Sequence, residues 1–154
     1  MKTVLCALAL TPFLLAGCAT PPAAPTPSVE AEAPPKNALD ERIAYYARAY
    51  DVPESLIRRS IQRESGYNPA ARHGPFWGLM QLRLETARGV GYRGPAHGLL
   101  DADANLKYGV AYLANAYLVA GGNPDRALAL YASGFYYEAR RKGLLDRLRT
   151  ARDS

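Results

Sequence analysis

The stretch Arg63-Glu64-Ser65-Gly66-Tyr67-Asn68-Pro69-Ala70-Ala71, followed by Gly78-Leu79-Met80-Gln81-Leu82 and Thr86-Ala87, decides how this 154-residue chain reads. Just before it, Ile57, Ile61 and Glu64 are spaced four and three apart, so they share one face of a helix. The apolar partners make that face the buried one. A carboxyl group held there loses hydration, which favours its protonated form. A glutamic acid that keeps its proton can act as a general acid. Helix position alone does not decide the role, because a glutamate in a last helical turn is commonly solvated or paired with an arginine. Arg63 is expected to point in another direction, whereas Arg59 or Arg83 could form such a pair.

On both sides of this stretch the chain reads as helical. Leu39, Ile43, Tyr46, Ala47 and Tyr50 recur at three- and four-residue spacing and predict a first amphipathic helix from about Ala38. Asp51-Val52-Pro53 breaks it, and Pro53 suits the first position of a second helix. That helix runs to about Glu64, with Leu56, Ile57 and Ile61 on its apolar side, and ends at Gly66 and Asn68-Pro69. A glycine- and proline-rich loop leads to a short helix over about Leu79 to Arg88, and Gly89 to Leu100 reads as irregular. The longest helix is predicted from about Asp103 to Ala120, with Leu106, Val110, Leu113, Ala114 and Tyr117 on one face. Gly121-Gly122 stops it. Asn123-Pro124 opens a helix covering Arg126 to Tyr131, and a last helix is predicted over about Phe135 to Arg149. No stretch alternates at period two. The expected class is all-α, with one compact domain over residues 38–154.

Glu-Ser-Gly-Tyr-Asn-Pro-x-Ala from Glu64, then Gly78-Leu79-Met80-Gln81-Leu82 and Thr86-Ala87, resembles the signature of the Slt-type (family 1) lytic transglycosylases. Asp101 to Gly109 with Tyr112-Leu113 resembles that family's Asn-Ile-x-x-Gly-x-x-Tyr-Leu helix. Ala127-Leu128-Ala129-Leu130-Tyr131-Ala132-Ser133-Gly134 resembles its Ala-Leu-Ala-Ala-Tyr-Asn-Ala-Gly segment. The resemblance implies a goose-lysozyme-like helical fold and cleavage of the MurNAc-GlcNAc β-1,4 bond of peptidoglycan. It implies Glu64 as the catalytic acid/base, with Ser65 holding local backbone or carboxylate geometry. Gly78, Met80 and Gln81 would line the cleft, Met80 as an apolar wall and Gln81 as a hydrogen-bonding group for a sugar amide. Tyr131 would point its hydroxyl at the catalytic carboxyl and substrate. Asn68 and Asn105 are expected to organise loops and helix starts.

Two departures from the family pattern stand out. His73-Gly74-Pro75-Phe76-Trp77-Gly78 is one residue shorter than the usual segment, and Trp77 is either core or a stacking surface for a sugar. Ala132 replaces an asparagine that the family would use on substrate. Among the remaining acids, Glu85, Asp101, Asp103, Asp125, Glu138 and Asp146 fall mostly at helix starts or on polar faces. A pair of carboxylates flanking the bond, about 5–9.5 Å apart, is therefore not evident. In the family one carboxyl suffices: it protonates the leaving group, and the substrate's own 6-hydroxyl closes a 1,6-anhydro ring. A water-using muramidase on the same fold and a non-catalytic peptidoglycan-binding lipoprotein are the alternatives.

The front of the chain reads differently. Met1-Lys2 and the apolar run Val4 to Ala16 resemble an export signal, too short for a bilayer span of about 20 residues. Leu15-Ala16-Gly17-Cys18 resembles a lipobox, which implies cleavage after residue 17 and acylation of Cys18. Residues 18–37 are rich in proline and are expected to form an extended tether. With Ala19 and Thr20 after the cysteine, the expected location is the periplasmic face of the outer membrane of a Gram-negative bacterium. Cys6 and Cys18 are the two cysteines, so residues 38–154 offer no thiol nucleophile or disulfide. His73 and His97 form no metal-ligand pattern, and neither a metal nor a cofactor is expected. The formal net charge of +5 and the basic run Arg140-Arg141-Lys142 could suggest nucleic acid, a partner that export excludes. Anionic peptidoglycan or membrane phosphate is the available alternative, and the domain is expected to act as a monomer.

Overall fold

A computed structural model describes residues 36–151. The export signal, Cys18 and nearly all of the proline-rich segment lie outside the described residues. Six helices account for most of the domain: α1 (Lys36–Tyr50), α2 (Glu54–Ser65), α3 (Leu84–Gly89), α4 (Ala102–Val119), α5 (Pro124–Ser133) and α6 (Tyr136–Arg141). The stripe of α1 predicted from spacing is the packed one, with Ile43, Tyr46, Ala47 and Tyr50 all buried. Pro53 precedes α2 in extended conformation rather than opening it. Gly66, in the left-handed region at φ 59°, ends the helix by donating its N–H to the Gln62 carbonyl.

Helix α4 is the centre of the domain and packs against α1, α3 and α5. The Asp101 carboxylate caps its start by accepting from the Ala104 N–H at 2.8 Å. Helix α5 starts earlier than predicted, at Pro124, because Asn123 caps it by accepting from the Arg126 N–H. On α4, Gly109 leaves room for a neighbour: a Cβ there would sit 2.5 Å from the Met80 sulfur. The Met80 side chain is fully buried against that gap.

Three predicted segments turn out differently. The loop after α2 contains a small antiparallel sheet, β1 (Arg72–His73), β2 (Phe76–Trp77) and β3 (Leu82–Arg83), paired in that order. Its register sets Arg72 opposite Trp77, and Trp77 opposite Leu82. Two-residue strands are too short to show a period. The short helix expected from Leu79 begins only at Leu84, because Gln81 takes a left-handed φ of 46° and Leu82 pairs into the sheet. Within the supposedly irregular loop, Ala96–Leu100 forms a 3-10 turn. The last helix stops at Arg141: Gly143 adopts φ 65°, and the Leu144 N–H turns back to the Ala139 carbonyl, the closure that commonly ends a helix at glycine. A second 3-10 turn, Leu145–Arg147, follows. The chain then runs as a strap over α4. Asn115 accepts from the Arg149 N–H and donates to the Arg149 carbonyl, and the Ala151 N–H donates to the Val90 carbonyl.

Candidate active site

Glu64 sits in the last turn of α2 on the wall of a cleft of about 340 Å³. The other sides are built from Phe76, Gln81 to Arg83 and Thr86, and from the end of α5, with Tyr112 of α4 also on the wall. Of the residues expected at the site, Glu64, Gln81 and Tyr131 line this cleft, whereas Ser65, Trp77, Gly78 and Met80 do not. Ala132 lines it too, so the position where the resemblance implies asparagine presents only a methyl group.

The carboxyl group is less enclosed than its helix face suggested. The Glu64 side chain keeps 22% of its accessible surface and pairs with Arg63. Adjacent residues start about 100° apart on a helix, but the long arginine arm curls back to the carboxylate. Arg59 instead pairs with Asp125, and Arg83 with Glu85. The arginine that pairs with Glu64 is therefore Arg63, which was expected to point elsewhere, rather than either of the two that could have done so, Arg59 and Arg83.

The residues absent from the wall hold its floor. Ser65 donates its hydroxyl to the Leu79 carbonyl at 2.8 Å, which joins the end of α2 to the segment after β2. Asn105 of α4 is fully buried and uses both ends of its amide. Its Oδ1 accepts from the Met80 N–H, and its Nδ2 donates to the Trp77 and Leu99 carbonyls, all at 2.8 Å. Gly78 passes so close to Asn105 that a Cβ would lie 2.4 Å from its amide nitrogen and 2.3 Å from the Leu99 oxygen. Glycine at 78 is a packing requirement. Met80, expected as an apolar wall, is buried beneath the cleft.

Gln81 and Tyr131 reach the cleft with their main polar groups already engaged. The Gln81 amide nitrogen donates to the Ala71 and Gly78 carbonyls, and its Oε1 lies 2.9 Å from His73 Nδ1. Both donors are used within the protein, so the sugar-amide contact expected of Gln81 has no free N–H. The Tyr131 hydroxyl, expected to point at the catalytic carboxyl, donates to the Met80 carbonyl at 2.7 Å. Burial first, and the nearby Glu64 carboxylate second, push this hydroxyl well above the ordinary tyrosine range. It stays a neutral donor through the physiological range.

Of the two β2 aromatics, Phe76 lines the cleft and Trp77 does not. Successive strand residues face opposite sides; Phe76 lines the cleft with 38% exposure, while Trp77 lies under the Arg72 guanidinium at 4.1 Å. Sequence reasoning gave no cleft role to Tyr112 or Thr86, which also stand on this wall. Both lie within the motifs quoted from the sequence, and that was the signal available for them. Among the described residues, no group of three or more His, Cys, Asp or Glu is placed to hold a metal ion.

The family model described as "Transglycosylase SLT domain" matches residues 41–148. Three curated relatives, each named membrane-bound lytic murein transglycosylase C, come from Klebsiella pneumoniae subsp. pneumoniae, Salmonella arizonae and Cronobacter sakazakii. Each is 39% identical over 106 residues, covering 57% of this chain and 29% of the relative. The chain thus spans less than a third of the length of the curated relatives it matches. No solved structure matches it. With the match running from within α1 to the end of the second 3-10 turn, the chain belongs to the transglycosylase SLT domain family.

Proposed function

We propose that this domain cleaves the MurNAc-GlcNAc β-1,4 bond of peptidoglycan by lytic transglycosylation, with Glu64 as its single acid/base. One observation carries the reading: among the described residues that line the cleft, Glu64 is the one carboxylic acid. No second carboxylate stands there to act as nucleophile, and membership of the transglycosylase SLT family supports the substrate's own hydroxyl as the acceptor. The Glu64 proton passes to the glycosidic oxygen as the bond from the anomeric carbon breaks. The N-acetyl oxygen supports the positive carbon. Glu64, now a carboxylate, takes the proton of the 6-hydroxyl as its oxygen bonds to that carbon. The acid is restored, and no water is consumed.

In this reading Gln81 and Tyr131 shape the cleft beside Glu64, while Ser65, Gly78 and Met80 hold its floor. Trp77 supports the sheet beneath Phe76. Anchoring through acylated Cys18 at the periplasmic face of the outer membrane rests on the lipobox-like sequence, and the relatives' "membrane-bound" names are consistent with it. No helix among the described residues is long and apolar enough to cross a membrane.

The test is mass spectrometry of purified sacculi digested with the wild-type chain and with Glu64→Gln. The expected products end in 1,6-anhydromuramic acid, lighter by one water than reducing ends, and the variant yields none while melting normally. Reducing ends alone would assign a water-using muramidase. Activity in Glu64→Gln would remove Glu64 from the mechanism.

A further inference from the structure

A cavity of about 430 Å³ lies between the end of α1, the second half of α4 and the C-terminal strap, and shares no lining residue with the Glu64 cleft. A volume of this order suits a small ligand. The strap supplies two arginines. Leu148 is extended between them and packs against the core. Neighbouring side chains of an extended segment point opposite ways, so Arg147 and Arg149 both turn to the cavity. Asn115, buried at the back, fixes the strap by bonding both main-chain groups of Arg149.

The polar groups of this cavity are largely unspent. Arg149 gives Nη1 to the Tyr50 carbonyl at 3.2 Å, a favourable place for a cation at the end of α1, and keeps its Nε and Nη2 hydrogens. Arg147, Asp51 and the Tyr117 hydroxyl make no hydrogen bond or ion pair within the described residues. The arginines of α2, by contrast, each hold a carboxylate. One carboxylate and two guanidiniums therefore face the same space without closing on each other. Gly122, at φ 81°, keeps the wall open beside Tyr117: a Cβ there would stand 3.7 Å from the hydroxyl oxygen. Ala114 and Leu118 add an apolar stretch.

We propose that this cavity binds the headgroup of an α-amino acid carried on a longer, uncharged chain. The ligand carboxylate pairs with the guanidiniums of Arg147 and Arg149, and the ammonium on the same carbon faces Asp51. A simple anion would leave Asp51 opposed to it, and a simple cation would meet two guanidiniums of its own sign. A zwitterion answers both charges. The Tyr117 hydroxyl offers a further donor, and the chain beyond the headgroup lies along Ala114 and Leu118. Neither this site nor the reaction at Glu64 depends on the other.

The experiment follows the backbone amides of the isotope-labelled chain by NMR as Nε-acetyl-lysine is added, a probe with a free α-ammonium, a free α-carboxylate and a neutral chain. Saturable shifts are expected at Gly121, Gly122 and Arg149, around the cavity and not around Glu64. Nε-acetyl-lysine amide lacks the carboxylate and Nα,Nε-diacetyl-lysine lacks the ammonium; each should bind about tenfold more weakly. Arg147→Gln should weaken Nε-acetyl-lysine by a similar factor. Asp51→Asn should weaken it too, yet should not weaken the diacetyl compound. Equal affinity for the three compounds overturns the proposal, as does the absence of saturable shifts at these amides. Unaltered binding in both variants, each melting normally, also overturns it. Should a variant fail to fold, the three compounds on the unaltered chain decide the outcome.

Discussion

Arg63 places two donors on one oxygen of Glu64: its Nε and Nη2 reach Oε1 at 3.0 and 2.5 Å, while Nη1 donates to the Leu128 carbonyl at 3.3 Å. Arginine has donors only, so Oε1 is occupied as an acceptor, while no hydrogen bond from Arg63 reaches Oε2. Arg63→Met keeps the carboxyl group but releases its orientation. The pair is 41% and 22% exposed, so stability should change by no more than ~1 kcal/mol. Turnover on sacculi should fall, on the order of tenfold, through lost alignment. Unchanged turnover would mark the pair as incidental.

Asn105 supplies the strongest local support for the cleft floor. Asn105→Ala leaves the Met80 N–H and the Trp77 and Leu99 carbonyls without their partner. Each buried group left unpaired costs about 1–3 kcal/mol. Urea unfolding should therefore report a loss of several kcal/mol, and Asn105→Asp should also destabilise because it replaces a donor with an acceptor facing two carbonyls. A midpoint close to wild type would mean that the floor is held by other contacts.

Gly109 and Met80 should prove energetically coupled. Gly109→Ala drives a Cβ toward the Met80 sulfur at 2.5 Å, an overpacking expected to cost about 1–3 kcal/mol even though alanine favours helix. Combined with Met80→Ala, the same change should cost less, because the sulfur and Cγ are removed and only the Met80 Cβ contact at 3.0 Å stays. A double-mutant cycle by denaturant unfolding measures the difference. Additive effects would contradict the contact.

Glu138 gives the fold two acid-sensitive ion pairs, with Lys142 and Arg126. Lys142 first and Arg126 next hold its carboxyl below the ordinary glutamate range. The folded state therefore binds that proton less readily than the unfolded chain. The contribution is present above the unfolded carboxyl's titration and disappears as pH falls through the folded one. Glu138→Gln should flatten the acid limb of the stability profile and leave catalysis on sacculi near wild type. An identical acid limb in both proteins would refute the assignment.

The helices were legible because their buried stripes repeat over several turns, as in Ile43, Tyr46 and Tyr50 of α1. The place of Glu64 on the cleft wall was legible through its motif, and the tie from Ser65 to the Leu79 carbonyl through its position beside it. The sheet was not, because two-residue strands hold no period. The early stop of α6 was readable in principle from Gly143. The Arg63 contact was hidden by helix angles, which describe where a side chain starts and not where a long one ends. Met80 and Gln81 stand in the motif for reasons that spacing cannot separate: one fills the gap at Gly109, and the other ties Ala71 to Gly78.

Leu79 and Met80 are gripped from three helices, by Ser65 of α2, Asn105 of α4 and Tyr131 of α5, through main-chain atoms in every case. A connection between two short strands thereby acquires the permanence of the core. Its Met80 amide should exchange with solvent deuterium only on global opening, as slowly as amides in α4. The cleft above it thus rests on a floor that is already ordered, and little conformational entropy of the protein is lost there when a ligand binds.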